Sequence, residues 1–151
     1  MSEAPGLRVA TCQFAVGASI ARNAGQIQRQ MRQAAAAGAD LVHFPECALS
    51  GYAGTDFPSW EGFDWDALVH QTQDICRLAG GLKLWTVLGS AHRLTPPHKP
   101  HNCLYVIGPD GSITDRYDKR FCSSRDLEHY SPGDHFVTFE AGGVRCGTLI
   151  C

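Results

Sequence analysis

The sequence has no apolar run near the roughly 18 residues that a membrane-spanning helix requires. Residues 1–6 also lack the basic and apolar character of a secretory leader. Charges are of mixed sign, because 13 Lys and Arg stand against 15 Asp and Glu and give a net charge of −2. These absences argue against nucleic-acid and membrane partners and favour a cytoplasmic protein.

Motifs for cofactors and metals are also missing. No glycine-rich loop precedes a helical pattern in the form that binds phosphate. Four potential metal ligands lie close together in the sequence, namely His92, His98, His101 and Cys103. Their spacing fits no standard zinc pattern, and three prolines in the same stretch indicate an exposed loop. We therefore predict neither a cofactor nor a metal site.

The hydrophobic pattern alternates between strand-like and helix-like segments, which is typical of an α/β fold. With 151 residues and 44% hydrophobic content, the chain is long enough for one domain. The predicted strands are residues 7–14, 41–44, 82–91, 102–107, 112–117, 136–140 and 144–150, and the predicted helices are residues 20–37 and 65–79. Residues 51–62, rich in glycine, proline and aromatic side chains, are predicted to be a loop that walls a ligand pocket.

Three residues with complementary chemistry lie at the ends of predicted strands. Glu46 follows residues 41–44, Lys119 follows residues 112–117, and Cys151 follows residues 144–150. Side chains at the carboxyl ends of strands converge at one edge of an α/β sheet. A thiol becomes a nucleophile only as a thiolate, which a neighbouring base or cation produces. The pattern predicts a cysteine nucleophile with Glu46 and Lys119 in those two roles.

Each of these residues has a simpler interpretation when it is taken alone. A glutamate after a strand is usually a solvated strand end, Lys119 could be a surface charge, and Cys151 could be an inert apolar residue. The other six cysteines complete an odd, irregularly spaced set, which indicates reduced thiols rather than a disulfide framework.

The order of four sequence motifs, three of which contain these residues, favours the catalytic interpretation. These segments are residues 44–52, 116–120, 128–133 and 145–151, and they follow an opening strand at residues 7–14. Together they resemble the nitrilase superfamily of carbon–nitrogen hydrolases, and in particular its amidase-like branch. The resemblance runs from about residue 7 to the end of the chain.

The resemblance implies a four-layer α-β-β-α sandwich, of which residues 1–151 would be the N-terminal part of a single domain that ends at the nucleophile. It implies a catalytic triad of Glu46, Lys119 and Cys151. It also implies that a second glutamate, Glu128, positions the substrate and holds Lys119. Tyr52 either contacts the substrate or packs beneath the pocket.

The activity implied is hydrolysis of a small linear amide or an N-carbamoyl compound through a cysteine acyl thioester, with release of ammonia. Hydrolysis of a nitrile, a glutaminase-like module of a synthetase and an inactive half-domain that binds a partner are the alternatives. Members of the superfamily continue beyond the nucleophile, so we expect the natural protein to continue past Cys151. We also expect a homo-oligomer.

Overall fold

The computed structural model describes residues 6–151, so residues 1–5 of the segment that was predicted to lack a leader lie outside it. Five strands form one mixed sheet in chain order. They are β1 (Val9–Thr11), β2 (Leu41–His43), β3 (Trp85–His92), β4 (His101–Ile107) and β5 (Ile113–Asp118). The first three strands are parallel, and β4 and β5 continue the sheet in antiparallel pairs.

Two long helices connect the parallel strands, as a parallel crossover requires. They are α1 (Ile20–Ala36) and α2 (Trp65–Leu82). The Ser19 hydroxyl accepts a hydrogen bond from the Arg22 N–H (3.3 Å), and this contact caps the start of α1. Within residues 6–151, neither helix combines the length and apolar character needed to cross a membrane.

The second helix is longer than the sequence predicts. It continues to Leu82 instead of ending at Ala79, and β3 begins at Trp85 instead of Leu82. Gly80 lies against the turn between β4 and β5, where an added Cβ would come within 3.0 Å of the Asp110 carbonyl oxygen. This close packing keeps a poor helix former inside the helix, so tertiary contact overrides local propensity.

A hairpin formed by β6 (Val137–Ala141) and β7 (Val144–Thr148) makes a second, two-stranded sheet. Gly142 and Gly143 join the strands with positive φ angles of 57° and 77°, the conformation that a tight two-residue hairpin turn needs. The predicted hairpin is therefore confirmed. A further short helix, α3 (Asp126–His129), was not predicted.

The two faces of the five-stranded sheet carry different layers. One face packs against α1 and α2 through a core that includes Ile27, Ile75 and Leu88. The other face packs against the hairpin through Val87, Val137 and Ile150, among others. The predicted α/β class is confirmed, and residues 6–151 supply a helical layer, a sheet and part of a second sheet.

The turn that carries Glu46 lies directly over the central strand β3. An added Cβ at Gly89 would lie 1.9 Å from the Pro45 carbonyl oxygen and 2.9 Å from the Cys47 nitrogen. The Leu49 N–H also donates to the Gly89 carbonyl (2.9 Å). Only glycine allows the turn to approach this closely, so Gly89 helps to set the position of Glu46.

We expect Gly89→Ala to lower the free energy of unfolding by about 1–3 kcal/mol, because the added methyl group would displace the Glu46 turn. Chemical denaturation measures this change. Gly147→Ala in β7 is the matched control, because its added Cβ would meet only ordinary contacts at 3.8 Å or more. Equal effects of the two substitutions would contradict the proposed role of Gly89.

Candidate active site

Glu46 is held in the turn after β2 and remains partly open to solvent. Its side chain is 32% exposed. The Oε1 atom accepts hydrogen bonds from Lys119 Nζ at 2.9 Å and from Asn102 Nδ2. Both contacts use the same carboxylate oxygen, so Oε2 is left for a substrate, a thiol or water.

Lys119 lies immediately after β5, and its side chain is only 5% exposed. Its Nζ is 2.9 Å from Glu46 Oε1 and 3.1 Å from Asp126 Oδ2. Burial acts to lower the pKa of Lys119, but the hydrogen bonds to the two carboxylates outweigh burial and raise that pKa above its ordinary value. Lys119 is therefore a permanent cation near neutral pH.

Asp126 is the second carboxylate of this cluster, and it lies at the start of α3. Its side chain is 5% exposed. Oδ2 accepts from the Ser123 N–H (2.8 Å) and hydroxyl (2.9 Å), and Oδ1 accepts from the Tyr52 hydroxyl. Burial acts to raise the pKa of Asp126, but these hydrogen bonds and the one from Lys119 lower it to about 2.

The predicted role of Glu128 in holding Lys119 is corrected by this arrangement. Glu128 lies on the exposed side of α3, whereas Asp126, two residues earlier, points inward and pairs with Lys119. A sequence signal for Asp126 exists, because Ser123 and Asp126 have the spacing of a helix capping box. The structure shows both reciprocal hydrogen bonds of that motif, the second from the Asp126 N–H to the Ser123 hydroxyl (3.1 Å).

Tyr52 borders the cluster from the loop at residues 51–62. Its hydroxyl donates to Asp126, and its ring meets the Tyr130 ring edge-on with 5.5 Å between centroids. These are packing and hydrogen-bond contacts, and the predicted contact of Tyr52 with a substrate stays a prediction. The same loop lines a cavity of about 450 Å³ whose lining includes none of Glu46, Lys119 and Cys151.

Cys151 is exposed and follows Ile150, which is buried against the sheet. The structure does not bring its thiol into the hydrogen bonds and ion pairs that join Glu46 to Lys119. Cys47, next to Glu46, is fully buried 3.7 Å from the Tyr130 hydroxyl. Burial raises the pKa of Cys47 to about 12, so this thiol is a poor nucleophile.

The cluster leaves one donor of Lys119 unused by the described residues. An ammonium group has three N–H donors. Two of them are directed at Glu46 and Asp126, so the third is available to an oxygen atom on a bound molecule. Within residues 6–151, no group of three or more metal-ligating side chains comes together. The geometry suits stabilisation of a developing oxyanion by a preorganised cation.

The sequence profile of the carbon–nitrogen hydrolase family matches residues 8–151. A glutamate–lysine ion pair with a buried lysine, at the carboxyl edge of an α/β sheet, thus accompanies a family match over nearly the whole chain. The chain belongs to the carbon–nitrogen hydrolase family, and the predicted resemblance to the nitrilase superfamily is confirmed.

Curated relatives include amidases and a synthetase. The chain is 29% identical to the omega-amidase NIT2 of Homo sapiens, with 95% of this chain and 54% of the relative covered. It is 33% identical to the glutamine-dependent NAD(+) synthetase of Xylella fastidiosa, with 100% of this chain and 28% of the relative covered. The chain therefore spans about half the length of the omega-amidase and less than a third of the synthetase.

Solved structures show the same fold. An amidase from Nesterenkonia sp. superposes with a TM-score of 0.82 at 19% identity, covering 96% of this chain and 55% of the amidase. The glutamine-dependent NAD+ synthetase from Acinetobacter baumannii superposes with a TM-score of 0.77 at 24% identity, covering 96% of this chain and 27% of the synthetase. The predicted amidase-like relationship is consistent with both sets of relatives.

We expect Asp126→Asn to lower the free energy of unfolding at neutral pH by about 2 kcal/mol, the equivalent of the lowered pKa of this buried carboxyl. A carboxyl group whose pKa is lower in the folded protein than in the unfolded chain stabilises the fold at pH values above the unfolded-state pKa. The difference from wild type should therefore shrink as the pH falls from about 4 towards 2. Denaturant unfolding at several pH values measures it. Glu128→Gln is the matched control, and an equal loss there would contradict the assignment.

We expect alkylation by iodoacetamide to separate the thiols. Cys151 is exposed and should react readily, whereas the pKa of about 12 and the burial of Cys47 should slow its reaction about a thousandfold or more at neutral pH. Peptide mass spectrometry over time gives both rates. Comparable rates for the two cysteines would show that the turn around Glu46 opens freely.

Proposed function

We propose that this chain is the N-terminal part of a carbon–nitrogen hydrolase domain that cleaves a small linear amide or an N-carbamoyl compound. The observation that carries the proposal is the buried Lys119 ammonium held between Glu46 and Asp126. The family match and the amidase relatives support the reaction class. In this proposal Cys151 is the nucleophile, Glu46 is the general base and Lys119 stabilises the oxyanion.

The first half of the proposed reaction forms an acyl thioester. Glu46 takes the proton of the Cys151 thiol, and the sulfur attacks the carbonyl carbon of the substrate. The carbonyl oxygen becomes negative and accepts a hydrogen bond from the third N–H of Lys119. Protonated Glu46 then gives its proton to the leaving nitrogen as the carbon–nitrogen bond breaks. Ammonia leaves, and the acyl group stays on sulfur.

The second half returns the enzyme to its starting state. Glu46 accepts a proton from a water molecule as the water oxygen attacks the thioester carbon. Lys119 again stabilises the negative oxygen. The carbon–sulfur bond breaks, the proton goes back to sulfur, and the product leaves as a carboxylic acid from an amide, or as a carbamic acid from an N-carbamoyl compound. The partial exposure of the Glu46 side chain supports this step, because a general base that activates water must be open to water.

A glutaminase-like module is the second candidate function. It is favoured by the 33% identity to a glutamine-dependent NAD(+) synthetase over the whole of this chain. In that case glutamine would be the amide, and the ammonia released would be passed to a synthetase. The predicted homo-oligomer and cytoplasmic location stay predictions, as does a substrate-positioning role for Glu128.

The test is ammonia release by the full polypeptide that carries this sequence, with butyramide, an N-carbamoyl amino acid, glutamine and a nitrile as substrates. Butyramide is the ligand bound to a cysteine-to-alanine mutant of the Nesterenkonia amidase. We expect release from an amide or N-carbamoyl compound. Cys151→Ala should abolish it, and Lys119→Met should slow it about 10²–10³-fold, as for loss of one oxyanion donor.

Cys76→Ala is the control, because Cys76 is a half-buried thiol of α2 remote in sequence from all three catalytic candidates. Retained turnover in Cys151→Ala would refute the cysteine mechanism. Release from the nitrile alone would refute the amide assignment, and release from glutamine alone would favour the synthetase-type module.

A further inference from the structure

We propose that Asn102 is a positioning residue that holds Glu46 ready to act as the general base. Its effect on rate rests on the function proposed above. Asn102 is the second residue of β4, and its side chain is fully buried. Its amide Nδ2 donates to Glu46 Oε1, and its backbone carbonyl accepts the Lys119 N–H (2.8 Å). One residue thus contacts both members of the glutamate–lysine pair.

The Asn102 side-chain amide is oriented so that it donates to Glu46, at the expense of its own carbonyl oxygen. Its Oδ1 atom is buried and has no hydrogen-bond partner among residues 6–151. Rotating the amide would place that oxygen against the Glu46 carboxylate, where two acceptors would repel each other. The observed orientation therefore leaves a buried carbonyl unpaired in order to donate to Glu46. An apolar side chain of similar shape would avoid this cost, so packing alone does not account for the asparagine.

Asn102 and Lys119 together fix one oxygen of the carboxylate. Both donate to Oε1, no described residue hydrogen-bonds to Oε2, and the Glu46 side chain is partly exposed. The carboxylate plane and the direction of its reactive oxygen are then set by two buried donors. A general base needs this kind of orientation, because its oxygen must lie within hydrogen-bond reach of the proton that it takes.

The Asn102 amide donates to Glu46 without adding a charge to the site. The Glu46 charge acts electrostatically on four nearby titratable groups, namely Lys119, Tyr52, Cys47 and Cys122. Asn102 does not titrate, yet its hydrogen bond favours the charged carboxylate over the neutral carboxyl. It therefore orients the Glu46 carboxylate without competing with Lys119 for Asp126.

Two replacements of similar shape test the inference. Asn102→Leu removes the donor, and Asn102→Asp replaces it with an oxygen that repels the Glu46 carboxylate when ionised. We expect kcat to fall about 10–10²-fold in both, as for a catalytic group that has lost its alignment, with a smaller change in KM. The acid limb of the kcat/KM profile should move to higher pH, and further in Asn102→Asp than in Asn102→Leu.

Ser90→Ala is the matched control. Ser90 is fully buried on β3, its hydroxyl has no partner among the described residues, and it pairs in register with Cys103, next to Asn102. Its removal deletes a buried unpaired polar atom of the same sheet without removing a hydrogen bond of Glu46. A pH profile and kcat in Asn102→Leu that match those of Ser90→Ala would overturn the inference.

A second readout does not depend on turnover. We expect the chemical shift of the Glu46 carboxyl carbon at neutral pH to differ between Asn102→Leu and wild type, because the carboxylate has lost one of its two donors, and to stay unchanged in Ser90→Ala. If wild type releases no ammonia from any substrate, the proposed function fails, while a shifted carboxyl signal still supports the contact. An unshifted signal in a folded Asn102→Leu protein would overturn the role of Asn102, whatever the activity.

Discussion

The buried ammonium of Lys119 is the constraint on which the rest of the site depends. Removing a lone charge from water costs several kcal/mol, and the fold offsets this cost only by bringing carboxylates to the same point. Glu46 comes from the turn after β2, and Asp126 comes from the start of α3. The sheet order places these distant segments beside the end of β5, so the ion cluster and the fold stabilise each other.

The loop that follows the Glu46 turn is joined by hydrogen bonds to the short helix that carries Asp126. The Tyr130 hydroxyl, just after α3, accepts the Ala53 N–H (2.9 Å). The Trp60 indole N–H donates to the His129 carbonyl (2.8 Å), and Tyr52 donates to Asp126. These bonds connect the aromatic loop at residues 51–62 to α3. The ion cluster is thus bordered by a second, neutral layer of contacts, which restrains Asp126 directly through Tyr52.

The sequence patterns were most informative for charged residues that directly follow a predicted strand. Glu46 and Lys119 were predicted to meet, and the structure pairs them at 2.9 Å. The predicted contact of Glu128 with Lys119 is replaced in the structure by that of Asp126, because a motif spacing does not show which face of a four-residue helix turns inward. Asn102 was missed because it lies inside a strand pattern, where its amide has no signal of its own. The contact of Cys151 with the pair stays a prediction.

The charges of the ion cluster affect how readily an acid product leaves the site. Glu46 and Asp126 carry two negative charges, and Lys119 carries one positive charge, so the cluster is net negative at neutral pH. A neutral amide meets no repulsion there. A carboxylate formed at the same position is a like charge in a partly desolvated site, where Coulomb repulsion is stronger than in water. In the proposed reaction the cluster would therefore favour departure of the acid product and oppose the reverse reaction.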